Sequence, residues 1–202
     1  MKKIVLTLSL GVLLAGFSYS QKTTKGTKMA SGTIGLTFNT EKRDDGTAIT
    51  TRGKYSAINM NPNVGYFIMD GLAVGGGINI ATSNYKRDGS ADKLNTTSLA
   101  FAPFARYYTD MGLFGHVSVS LGSGKEKDTQ DNGGGNVTVT ETNFGLFGFE
   151  FGGGYAYFLN DNVAVEPMLI YGSNSIKDKT AAPNTKEIHG GIQFRIGISV
   201  FL

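Results

Sequence analysis

Between Gly190 and Leu202 the chain alternates with a period of two. Ile192, Phe194, Ile196, Ile198, Val200 and Leu202 fall on one parity, and Gly191, Gln193, Arg195, Gly197 and Ser199 fall on the other. A strand sends successive side chains to opposite faces, so this stretch has one apolar and one polar face. Phe201 alone departs from the pattern. A strand that runs to the last residue is expected to find full backbone pairing by closing a barrel against the first strand, since free chain ends fray.

The same alternation recurs along the chain, with turns between. Tyr66-Phe-Ile-Met-Asp-Gly-Leu-Ala-Val74, Tyr107-Tyr-Thr-Asp-Met-Gly-Leu-Phe-Gly115 and Tyr157-Phe-Leu-Asn-Asp-Asn-Val-Ala-Val165 share one plan: two aromatics, two residues, a Gly- or Asn-bearing turn, then apolar residues. Gly and Asn tolerate the backbone of tight hairpins. Long polar segments (41–54, 83–95, 123–141 and 172–187) separate the hairpins. Eight strands are expected, at about 30–40, 55–69, 72–82, 96–109, 112–122, 142–159, 163–171 and 190–202. Short turns at one end and long loops at the other are the plan of a transmembrane barrel.

The charges decide which face looks outward. Of the 33 charged residues after Ser20, 23 lie in the four long segments and four within strands: Arg106, Glu150, Glu166 and Arg195, all on the polar parity. A soluble barrel would need a quarter to a third of its surface charged. A lumen can hold two Arg and two Glu as a paired network, and the opposite face carries no charge, as lipid requires. The reading is therefore an all-β, eight-stranded, antiparallel up-and-down transmembrane β-barrel. Tyr66, Tyr107 and Tyr157 lie on the outward parity beside the short turns, where an aromatic girdle marks a membrane boundary. Phe67, Phe104, Tyr108, Phe158, Met168 and Ile170 point inward and are expected to fill the narrow lumen. Glu166 and Arg195, on neighbouring strands, are the expected first ion pair.

Residues 1–20 read as a secretory signal: Lys2 and Lys3, an apolar core from Ile4 to Phe17, and small residues at Ser18 and Ser20. Residues 21–29 read as a short leader and 30–202 as the barrel domain. The formal net charge is +3, falling to +1 without Lys2 and Lys3, which gives no reason to expect a nucleic-acid partner. There is no Cys, hence no disulfide framework and no thiol ligand for a metal.

These hairpin motifs, the run Pro103-Phe-Ala-Arg-Tyr-Tyr108 and the girdle resemble the small bacterial outer-membrane β-barrel family of OmpA/OmpX type, from about residue 30 onward. Arg195-Ile-Gly-Ile-Ser-Val-Phe-Leu202 also resembles the C-terminal assembly signal of such barrels, with Arg195 and Gly197 in its polar positions and Val200 and Leu202 where aromatics are preferred. No peptidoglycan-binding domain follows, so the resemblance implies no cell-wall tether. It implies a bacterial outer-membrane location, contact with outer-membrane lipid, and the barrel-assembly machinery as a partner during biogenesis. Fold does not settle function. The expected role is structural, adhesive or partner-binding through the surface loops, without enzyme activity or cofactor.

Two alternatives stand beside it. His116-Val-Ser118 places a base and a hydroxyl two residues apart on one face, the pair that lipid A-modifying hydrolases of this fold use with an acid. A small-solute channel is the other, if the lumen is open. The Gly runs at 75–77 and 152–154 lie inside strands and open no helix, so they read as packing devices rather than phosphate cradles. In the segment 123–141, Asn136-Val-Thr-Val-Thr140 alternates like a strand, so strand six is expected to project beyond the membrane and offer an edge to a partner.

Overall fold

The computed structural model describes residues 23–44, 49–133, 136–179 and 186–202. The signal segment lies outside the described residues. The chain forms an eight-stranded antiparallel barrel: β1 Lys28–Asp44, β2 Ile49–Met69, β3 Leu72–Arg87, β4 Lys93–Tyr108, β5 Leu113–Asp131, β6 Val137–Tyr155 with its continuation Tyr157–Phe158, β7 Val163–Asp178 and β8 Lys186–Phe201. Each strand pairs with its sequence neighbours, and β8 closes on β1 from Met29–Phe201 to Gly32–Ile198.

The turns form where the sequence places them. Gly71 and Gly112 hold φ of 77° and 82°, which an L side chain rarely adopts. The third turn uses a side chain instead: the Asn160 carboxamide oxygen accepts from the amides of Asn162 and Val163, both at 2.9 Å.

The two faces divide as the alternation requires. Ile34, Val64, Ile78, Phe101, Val117, Phe151 and Ile198 stand exposed on the outer wall, while Arg106, His116, Ser118, Glu166 and Ser199 are buried within. Such an inverted distribution suits hydrocarbon outside and water or packed side chains inside. The band of outward apolar residues ends near Leu36, Ile58, Ile80, Leu99, Leu121, Phe147, Tyr171 and Ile192. Tyr66, Tyr107 and Tyr157 mark the other rim, all partly exposed and facing out.

Two differences from the sequence reading have physical causes, and three prolines interrupt the ladders. The strands run far into the polar segments, leaving interruptions as short as 88–92 and 132–136, because backbone pairing continues above the membrane where neither face needs to be apolar. The barrel also begins before residue 30. Lys28 and Met29 belong to β1, and residues 23–27 are laced to the first hairpin through Gly26 N to Phe67 O (2.9 Å), Gly71 N to Thr23 O (2.7 Å) and Lys25 N to the Asp70 carboxylate (2.8 Å). Finally, Pro62, Pro103 and Pro167 lie at gaps in the β2–β3, β4–β5 and β6–β7 ladders, yet the register is the same on either side of each gap. They are local breaks rather than bulges: a proline has no N–H to give one neighbour, and pairing to the other neighbour persists.

Candidate functional site: the lumen

The lumen has three levels. At the turn end, Met29, Phe67, Tyr108, Phe114 and Phe201 interlock with Met168 and Ile170, and Phe158 packs against them. Ring centroids lie 5.8 Å apart for Phe67–Tyr108, 5.2 Å for Tyr108–Phe114 and 5.2 Å for Phe158–Phe201, in tilted arrangements that aromatic pairs favour. The glycine runs make room for this plug. A Cβ on Gly154 would stand 2.7 Å from the Phe114 ring, and one on Gly75 would stand 2.8 Å from the Phe104 ring. Phe201, the residue that breaks the terminal alternation, turns inward here and is fully buried.

Directly above, a chain of polar side chains crosses the barrel. The Glu166 carboxylate accepts from Arg106 Nη1 (2.7 Å), the Tyr108 hydroxyl (2.8 Å) and the Ser199 hydroxyl (2.7 Å). The Arg106 guanidinium is also flanked by the Phe114 and Phe104 rings, 5.0 and 5.7 Å from their centroids. Arg106 Nε points to His116 Nδ1 at 3.4 Å, and His116 Nε2 stands 3.5 Å from Glu150. Because Nδ1 accepts from a guanidinium, the fitting tautomer carries its proton on Nε2 and faces the carboxylate. Glu150 in turn receives Arg195 bidentately, at 3.2 and 2.9 Å, and Arg195 Nε and Nη2 reach Gln193.

The four charges thus pair as Arg106–Glu166 and Arg195–Glu150, bridged by His116. The expected pair Glu166–Arg195 does not form. Met168, not Glu166, stands opposite Arg195 on β7, and Glu166 stands opposite Gly197. Glu166 is drawn down onto the plug, and the Arg195 guanidinium turns toward Glu150, two strands away across Gly172. The sequence reading considered only adjacent strands, whereas Arg106–Glu166 joins β4 to β7 and Arg195–Glu150 joins β8 to β6 over the intervening β7. Tyr108, Ser199 and His116 were missed as members. A signal existed for His116: the Met111-Gly112 turn sets it opposite Arg106.

Both ring nitrogens of His116 are engaged by Arg106 and Glu150, so neither is directed at Ser118, and the base–hydroxyl pair of the hydrolase alternative is not assembled in this arrangement. Among the described residues no group of three or more His, Cys, Asp or Glu stands together as a metal site would require.

Above the network the lumen opens. A cavity of about 860 Å³ is lined by Thr33, Asn61, Asn79, Ser120, Glu150 and Arg195, among others. The expectation of a filled lumen therefore holds at the turn end and fails at the loop end, where the cavity lining is mostly Gly, Ala, Ser, Thr and Asn together with Glu150, Gln193 and Arg195. The terminal residues sit within the same frame: Arg195 and Gly197 face inward, Val200 stands opposite Ala30 and Val163, and Leu202 is exposed.

No protein-family model matches the chain, and no curated protein sequence matches it either. Solved structures do resemble it. The translocator domain of autotransporter NalP from Neisseria meningitidis is 14% identical, with a TM-score of 0.54 over 98% of this chain and 69% of that one. The beta domain of the Bordetella autotransporter BrkA is 13% identical, with a TM-score of 0.50 over 86% of this chain and 69% of that one. The likeness is one of fold: this chain has the architecture of the outer-membrane β-barrels.

Proposed function

We propose that the protein resides in a bacterial outer membrane as a non-catalytic, plugged barrel that presents a projecting β-rim to a partner protein. The reading assumes export by the signal segment 1–20. One observation carries it: the strands are 16–21 residues long, whereas crossing a membrane takes about 9–11. Nearly half of the wall therefore stands outside the hydrocarbon.

That rim is cross-braced. Lys125 and Glu141 pair across β5 and β6 at 2.6 Å, and the Asp131 amide donates to the Asp92 carboxylate at 2.7 Å, joining the β3–β4 connection to the β5–β6 arm. From Val137 to Thr142, β6 pairs with β5 but has no second ladder partner among the described residues. Lys179 N donates to Asn143 O, so the odd-numbered positions Val137, Val139 and Glu141 direct their backbone groups away from β5. An extended segment of a partner can add there as a further strand.

The test uses Val139→Pro, which removes one open-edge amide and leaves the β5 ladder intact. Cells displaying the wild type should aggregate or adhere to an extracellular-matrix panel, and Val139→Pro should lose this at equal envelope yield. Equal adhesion with residues 132–140 deleted would count against the proposal. The plug also supports a poor pore, and the engagement of His116 supports absence of hydrolysis. Large steady currents in planar bilayers, or fatty-acid release from lipopolysaccharide lost in both His116→Ala and Ser118→Ala, would favour the channel or the hydrolase instead.

A further inference from the structure

The barrel wall is not uniformly sealed. β1 stays paired with β2 as far as Asp44, and β8 stays paired with β7 as far as Lys186, but β1 and β8 pair with each other only from Met29–Phe201 to Gly32–Ile198. Above Gly32 and Ile198 each strand has an edge with no ladder partner among the described residues. Continuing the register would set Ile34 opposite Ile196 and Leu36 opposite Phe194. These four side chains face outward and are 57–68% exposed. Ile34 and Leu36 stand level with Met60 and Ile58 of β2, inside the apolar band. The strands therefore part at hydrocarbon depth.

Unpaired backbone is excluded from lipid unless it lines a water-filled cavity. Here it does. The cavity of about 860 Å³ is lined by lumen side chains such as Asn61 and Asn79 and also by Ile34, Leu36, Phe194 and Ile196, which belong to the outer wall. Where the β1–β8 ladder stops, the inward-parity residues Gly35 and Gln193 are exposed as well as the outward ones, so the cavity meets the gap between the strands.

We infer that this seam is a binding site for an amphiphile with an apolar tail and an uncharged, hydrogen-bonding head. The tail lies in the bilayer against Ile34, Leu36, Phe194 and Ile196. The head enters the lumen beside the hydrogen-bonded row Thr33–Asn61–Asn79, whose links measure 3.2 and 2.9 Å. The charges select the head. Each guanidinium nitrogen of Arg195 already donates to Glu150 or Gln193, and Glu150 is neutralised in return, so among the described residues the cavity has no spare cation for a phosphate or carboxylate. Its volume is that of an ordinary small-ligand site. Hydroxyl- or amide-bearing heads fit; monoacylglycerol is the simplest representative.

The test places the protein in phosphatidylcholine nanodiscs with a monoacylglycerol carrying a photoreactive diazirine in its tail, and maps the crosslinks by mass spectrometry. Labelling should saturate, concentrate on β1 and β8, and compete with unlabelled monoacylglycerol. Gly35 faces the cavity, and a Cβ there would lie 3.8 Å from its nearest neighbour, so Gly35→Phe fills the site without a backbone clash. Labelling should fall about tenfold in Gly35→Phe and in Asn79→Leu, and a diazirine fatty acid should label the wild type about tenfold more weakly. Heat-modifiable migration on electrophoresis verifies folding of each variant. The chain has no Cys, so Ile34→Cys with Ile196→Cys allows the seam to be stapled; the staple should abolish labelling. Non-saturable labelling spread around the barrel, labelling unchanged in folded Gly35→Phe, or stronger labelling by the fatty acid would overturn the assignment.

Discussion

At the turn end of the lumen Arg106 and Glu166 are 4% and 1% exposed; at the loop end Arg195 and Glu150 are 24% and 21% exposed, although their hydrogen bonding is equally complete. The first pair rests on a packed aromatic plug and the second borders an open cavity. The two ends teach different lessons about the same chemistry. A charge removed from water must be matched by a partner, so the lower pair is bound into the fold. A charge pair at the edge of water is screened, so the upper pair contributes less to the stability of the fold although its hydrogen bonds are complete. Small inward residues such as Gly35, Asn79 and Ser120 keep that upper half empty, whereas Phe67, Phe114 and Phe201 close the lower half.

The sharpest way to break this contrast is at Glu166. Glu166→Gln leaves Arg106 buried without its counter-charge and should lower stability by ~3–5 kcal/mol, read as unfolding in detergent. Adding Arg106→Met should recover part of the loss, while strictly additive effects would show that the two do not act as a pair. Phe201→Ala should cost a comparable ~3–5 kcal/mol through the cavity it leaves, and it should raise bilayer conductance as well. Glu150→Gln should cost only about 1 kcal/mol, because water reaches that pair and screens it. A loss as large as that at Glu166 would mean the two ends are not distinct.

The smallest effect belongs to the rim, outside the membrane. The backbone amide of Asp131, donated to Asp92, holds the Asp92 carboxyl below its ordinary value, with Ser90 and Arg87 assisting. A carboxyl whose pKa is lowered on folding stabilises the fold above its unfolded pKa and loses that contribution as pH falls through the folded one. The β3–β4 connection should therefore become protease-sensitive only below the usual carboxylate range. Asp92→Asn should abolish this pH dependence, and sensitivity that is constant with pH would remove the clasp from the account.

Much of this was legible in the sequence. The strand count, the inward and outward parity, and the plugging role of Phe67, Tyr108 and Ile170 follow from alternation and turn chemistry, because a strand fixes its faces locally. The ion pairing was not legible. Arg106 on β4 finds Glu166 on β7, and Arg195 on β8 finds Glu150 on β6, so neither pair joins adjacent strands and no neighbour rule reaches them. Phe201 looked like an error in a terminal alternation and is a plug residue; the signal was its inward parity, shared with Ser199 and Gly197. The parted seam was invisible for the converse reason. β1 and β8 carry matching alternation above Gly32 and Ile198, and nothing in either sequence says that they separate.

The division of the lumen can be measured directly, because the chain has no cysteine to interfere. Single cysteines at Ser120 and Asn79, above the network, and at Ala73 and Ser199, at or below it, would be exposed on intact cells to a membrane-impermeant maleimide. Rapid labelling at Ser120→Cys and Asn79→Cys, with Ala73→Cys and Ser199→Cys protected until the barrel is unfolded, is the predicted result. Equal labelling at all four positions, or protection of the upper pair alone, would contradict a lumen sealed at its turns and open at its loops.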